Sequence, residues 1–290
     1  MSALAGIAAA LVLGAAAITP VSAGPTDPEY SSELIGKAQP DECFDGIGQP
    51  YPAGPPCATG KPKVNQAYVW GMTKVGGDVW FGTGANTMCL TSGSSLGAVT
   101  PVVNDDYTCE YAESQAAKTH ENLVPALGDI RAPQVWLYDS AAKTLVNKSA
   151  EINAGSKVDA LRLRDTLGLR AAGNFDGVVL LAGPAVSSAL NIFAFDAVSK
   201  RFLGSRTMIQ YGNARTFLVA AGSLYLGVGI GPNGSKSGAV LRWTGNESRP
   251  FSFEKGLSQP DFSATNSSTP LKRSGMRTDC PVGSWSPTGS

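Results

Sequence analysis

From Tyr68 to Glu254, apolar and polar residues alternate in short runs, most of them closed by a glycine or by an Asp-led turn. A period of two is the mark of a half-buried strand, because successive side chains point to opposite faces. Three runs share one form: Val79-Trp80-Phe81-Gly82, Leu180-Leu181-Ala182-Gly183 and Leu224-Tyr225-Leu226-Gly227. A second motif also returns. Tyr138-Asp139, then Lys143, then Leu145-Val146 reappears as Phe195-Asp196, then Lys200, then Phe202-Leu203. Aromatic, Asp, Lys and two apolar residues at that spacing read as strand, tight turn, strand. The pattern predicts twelve strands in three groups of four. The first group is 68–73, 79–83, 134–139 and 144–147. The second is 169–172, 178–182, 191–196 and 201–204. The third is 214–220, 224–229, 239–243 and 250–254.

Taken as register marks, Gly183 and Gly227 give a period of about 44 residues, within the range of propeller blades. Trp70, Arg170 and Arg215 fall at nearly the same distance before Gly82, Gly183 and Gly227. The expected fold class is therefore all-β: a β-propeller of four-stranded antiparallel blades, about three of them visible over residues 67–255. Three blades do not close a ring. A further blade is expected either from residues 24–66 with 256–290 or from beyond residue 290. The tail 256–290 shows no alternation and carries a leftover Cys280, so the reading favours a truncated further blade. The same strands also suit a two-layer β-sandwich.

Over residues 67–255 the chain resembles secreted β-propeller repeat proteins, uncharacterised exported bacterial ones among them. Val79-Trp80-Phe81-Gly82-Thr83 resembles the second strand of two-component-regulator-type or NHL-type blades. The Gly-His and Trp-Asp marks of WD-repeat blades are missing. The resemblance implies a ligand site on the face that carries the loops after second strands and the connections between blades.

The amino terminus changes the compartment. Residues 4–18 are apolar or small and uncharged, Pro20 breaks the run, and Val21-Ser22-Ala23 has the small-x-small form of a cleavage site. Residues 1–23 read as a signal peptide, which places the protein outside the cytoplasm, extracellular or periplasmic, with no membrane span after cleavage. Residues 24–66 hold many prolines and read as an extended arm. In an oxidising compartment the five cysteines read as disulfides. The local pairings Cys43 with Cys57 and Cys89 with Cys109 are the first choice, although spacing alone leaves connectivity open. The net charge of zero, 23 basic against 23 acidic residues, argues against a nucleic-acid partner.

Candidate chemistry gathers in an insertion at 87–131, between the second and third strands of the first group. Asp105, Asp106 and Glu110 are oxygen donors for Ca2+, beside a solvated acidic loop as the plainer alternative. His120 is the only histidine, so any imidazole chemistry or ligand contact rests on it alone. No cofactor motif is present: Gly227-Val228-Gly229-Ile230-Gly231 is not followed by the helix that a dinucleotide loop needs. Arg170 and Arg215 sit on expected first strands, where they either bind an anion or pair with an acid of a neighbouring blade. The reading is an extracellular binding or interaction scaffold for an unknown ligand or protein. Two alternatives stand beside it: a Ca2+-dependent lactonase-like hydrolase and a surface adhesion module.

Overall fold

The computed structural model describes residues 32–46, 51–66, 68–87, 89, 109 and 129–258. The described residues from Ile35 onward belong to one compact unit. The arm carries a two-stranded hairpin, β1 (Glu42–Phe44) with β2 (Lys61–Lys63), closed by the Cys43–Cys57 disulfide. Twelve strands follow, in three antiparallel four-stranded sheets whose spatial order is the chain order. Sheet I is β3 (Tyr68–Val75), β4 (Asp78–Gly84), β5 (Val135–Asp139) and β6 (Thr144–Asn147). Sheet II is β7 (Ala171–Phe175), β8 (Val178–Pro184), β9 (Leu190–Asp196) and β10 (Phe202–Met208). Sheet III is β11 (Tyr211–Ala220), β12 (Ser223–Ile230), β13 (Ser237–Trp243) and β14 (Phe253–Ser258). All twelve expected strands form, with shifted ends.

Sheet II is the middle layer. Every residue of β8 and β9 is buried. Val179, Leu181, Phe193 and Phe195 pack toward Trp80 and Leu137 of sheet I. Val178, Leu180, Ile192 and Ala194 pack toward Leu226 and Leu241 of sheet III. A strand covered on both faces carries a continuous apolar run rather than an alternation, which is how Val178-Val179-Leu180-Leu181 reads. With sheet II buried on both sides, the two-layer sandwich is not the arrangement that forms. The first strands of the sheets adjoin, β7 lying against both β3 and β11.

The register glycines have a physical cause. The chain enters sheet II through Leu167–Leu169, which threads between the second strands of sheets I and II. The Leu169 N–H donates to the Thr83 carbonyl (2.9 Å), and the Leu167 N–H to the Pro184 carbonyl (2.8 Å). A Cβ on Gly82 would stand 2.3 Å from the Leu169 Cβ, and one on Gly183 only 1.7 Å from the Gly168 carbonyl oxygen. A Cβ on Gly227, in the last sheet, would meet nothing nearer than 3.8 Å.

Two short helices join sheets I and II, α1 (Ser149–Gly155) and α2 (Lys157–Arg164). The strand pattern gave no sign of them. They are about two turns long, and each buries one apolar side chain: Ile152 from α1 and Leu163 from α2. Ser156 caps α2 by accepting from the Asp159 N–H (3.1 Å), which satisfies one of the unpaired donors of the first turn.

The repeated Asp and Lys also acquire roles. Asp139 Oδ1 accepts the N–H groups of Ala141 and Ala142, and Asp196 Oδ1 those of Val198 and Ser199. These side chains close the turns, while Lys143 and Lys200 take the left-handed conformation at φ 52° and 62°. Lys200 of sheet II then spans to sheet I, with Nζ 2.9 Å from Asp78 Oδ2 and 2.7 Å from Asp139 Oδ2. Lys200 holds both carboxyls below the ordinary aspartate value of 3.8, and they hold its ammonium above 10.5. The depressed carboxyls contribute stability above pH 3.8 that is lost as pH falls through their folded values. The raised lysine contributes below pH 10.5 and loses it as pH rises through its own. The difference in unfolding midpoint between wild type and Lys200→Met should therefore be full at neutral pH and close on both sides. A constant difference from pH 2 to 11 would show that the three charges do not interact.

Candidate functional site

Trp70, Arg170 and Arg215, at nearly the same offset from the register glycines, lie on or beside the first strands of the three sheets. Trp70 lies on β3 at a break in register between Val69 and Gly71, and Arg215 on β11 at one between Ala214 and Thr216. A bulge re-aims the side chain of its extra residue and is frequent beside functional sites. Arg170 directly precedes β7, next to Leu169, whose carbonyl accepts from the Gly71 N–H (2.9 Å). Backbone closeness at these strands requires glycine: a Cβ on Gly71 would stand 2.7 Å from the Ala171 backbone, and one on Gly173 2.3 Å from the Phe217 Cβ.

The Trp70 ring lies against Gly84 and Gly168, where added Cβ atoms would come within 2.8 and 2.7 Å of it. The Arg170 guanidinium stands 5.2 Å from the ring centroid, inside the range of a cation–π contact. Tyr68, half exposed, packs edge-on against the same ring, with centroids 5.7 Å apart at 82°. Arg170 is half-buried and Arg215 exposed. Burial lowers the Arg170 guanidinium pKa, and the neighbouring positive charge of Arg215 lowers it further, with Tyr68 acting the other way. A guanidinium stays charged through such a shift. Its ionisable neighbours are a second cation and a phenol. Among the described residues neither arginine has a carboxylate partner.

The arrangement is one forked cation, Arg170, on the Trp70 ring with a second cation, Arg215, as its electrostatic neighbour, which suits a carboxylate, sulfate or phosphate group. For Arg170 and Arg215 the sequence offers pairing to a neighbouring acid at least as readily as anion binding. Tyr68 and the bulges were not read from the sequence. The spacing of Trp70 before Gly82 was the signal that could have placed the tryptophan with the arginines.

Of the insertion, Cys89 and Cys109 form the second expected disulfide. Asp105, Asp106, Glu110 and His120 lie outside the described residues. Asp129 lies close to the Cys89 and Cys109 sulfurs. Those sulfurs are bonded to each other, so they are not thiolate ligands, and the carboxylate accepts from Arg131 (2.8 Å). Among the described residues no helix is long and apolar enough to cross a membrane. Compared with known proteins, the chain matches no family model, no curated protein and no solved structure.

Proposed function

We propose that the chain is an exported binding protein, that its three sheets are consecutive blades of a β-propeller, and that its ligand carries an anionic group held by Arg170 and Arg215. The observation that carries the reading is Arg170 held over the Trp70 ring with Arg215 as its charged neighbour, on or beside adjoining first strands and without acidic partners among the described residues. Chain-order sheets, adjoining first strands and a middle sheet buried on both faces support the propeller. The uncharged apolar leader and the two disulfides support export.

The cluster of Tyr68, Trp70, Arg170 and Arg215 offers neither a nucleophile activated by a base nor an oxygen cage, so it binds rather than turns over. A Ca2+-centred hydrolase would need acids where the first strands begin. Those strands begin at Tyr68, Ala171 and Tyr211, none of them an acid.

Isothermal titration with sodium sulfate and with citrate tests the reading. A hydrogen bond between charged groups contributes about 1.5–3 kcal/mol, so Arg170→Gln and Arg215→Gln should each weaken binding by roughly 10- to 150-fold. Both side chains reach solvent, so both variants should fold. Equal affinity in wild type and both folded variants would remove the site. A rise in unfolding midpoint with millimolar Ca2+, and none with the anions, would favour the hydrolase.

A further inference from the structure

The outer face of sheet I, turned away from Trp80, carries Val79, Phe81, Trp136 and Leu145, with Met72 and Val69 at its exposed margin. Residues 35–41 cross this face as a strap. At one end Gly36 comes so close to Leu145 that a Cβ would lie 2.6 Å from Cδ2. At the other end the Asp41 N–H donates to the Lys63 carbonyl (3.0 Å), and Asp41 Oδ1 accepts the Asn65 N–H (2.8 Å). The next residue, Glu42, is ion-paired to Arg131, and Cys43 is disulfide-bonded. Fastened at the Asp41 end and packed against Leu145 at the other, the strap leaves about 710 Å3 between itself and the sheet. Gly36, Ala38 and Pro40, three of its seven residues here, are small and leave that space open.

We infer that this cavity is a second binding site, distinct from the arginine pair, for a flat, uncharged, apolar small molecule. The volume is that of a small-ligand site, and the floor supplies two aromatic rings for stacking. Several of the polar groups at its margin are already engaged. The Thr83 hydroxyl donates to Gln66 Oε1, Gln66 Nε2 to the Ala132 carbonyl (2.9 Å), and Trp136 Nε1 to Gln134 Oε1 (3.1 Å). The lining's charged residues are Lys37 and Asp41, of opposite sign and both on the strap. A charged ligand would lose its hydration and find no counter-ion on the floor, whereas an uncharged one loses little. A second copy of the chain does not fit: face-to-face sheets pack about 10 Å apart, and the strap occupies that layer.

Fluorescence titration of the full chain with N-phenyl-1-naphthylamine, an uncharged naphthyl probe, tests the inference. Saturable binding at one site is expected. Binding of 8-anilinonaphthalene-1-sulfonate, the anionic relative, should be at least about tenfold weaker at this site. Met72→Glu places a charge on the exposed edge of the floor and should weaken the uncharged probe by a similar factor. If that variant does not fold, Leu145→Gln serves in its place. Arg170→Gln with Arg215→Gln should leave probe binding unchanged, which separates this site from the anion site. No saturable binding, equal binding of the two probes, or equal binding in the folded variants would overturn the inference. So would self-association that Met72→Glu abolishes, since a second copy would then cover the face.

Discussion

Gly183→Ala should destabilise the protein by about 3 kcal/mol or more, because the clash is between a new methyl group and backbone, not a side chain that can turn away. The added Cβ would stand 1.7 Å from the Gly168 carbonyl oxygen. Relief requires the whole crossover at Leu167–Leu169 to move. That movement would strain its hydrogen bonds to Pro184, Thr83 and Gly71. For a chain of this size such a loss lowers the thermal midpoint by roughly 6–12 °C. Gly227→Ala is the matched control. It sits at the same register position of sheet III with no atom nearer than 3.8 Å, so the change should stay within about 0.5 kcal/mol. Urea unfolding of the two variants beside wild type measures both. Equal effects at the two positions would mean that the crossover does not pass Gly183.

Trp80→Ala should cost about 3–5 kcal/mol, the range for truncating a large buried aromatic residue. Trp80 is fully buried between sheets I and II, with its ring centroid 5.1 Å from that of Phe195. The residues belong to different sheets, so the loss opens the junction between layers rather than a pocket within one. Trp80→Phe should be much milder, below about 1.5 kcal/mol. It keeps the aromatic contact and removes an indole N–H that is buried without a hydrogen-bond partner. The ratio of the two effects is the useful reading. Comparable losses would show that the indole nitrogen matters and has found an acceptor.

Strand existence was legible because a period of two marks pleated structure, and the repeated Asp and Lys mark turns at Asp139 and Asp196. Boundaries were less legible. Leu169 reads as the start of a strand, yet it lies in the crossover, and β7 begins only at Ala171. An apolar residue is buried in either setting, so periodicity does not separate them. The helices at Ser149–Gly155 and Lys157–Arg164 escaped because each is too short to show a helical stripe. The offset of Trp70, Arg170 and Arg215 from the glycines was visible in the chain. The bulges that aim Trp70 and Arg215 were not: Gly71 flanks the first without distinguishing it from the other strand glycines, and Ala214 and Thr216 flank the second. The cavity under residues 35–41 was hidden for another reason. Its roof and floor come from distant parts of the chain, and no local pattern records their meeting.

The pairing of Arg170 and Arg215 as one anion site can be seen directly with bromide, a scatterer that replaces the unknown ligand's charge. Crystals of the chain soaked in sodium bromide should show an anomalous peak between the two guanidinium groups, beside Trp70, and crystals of Arg215→Gln should lose it. A carboxylate bonded to either arginine, or bromide found everywhere except between them, would contradict the account.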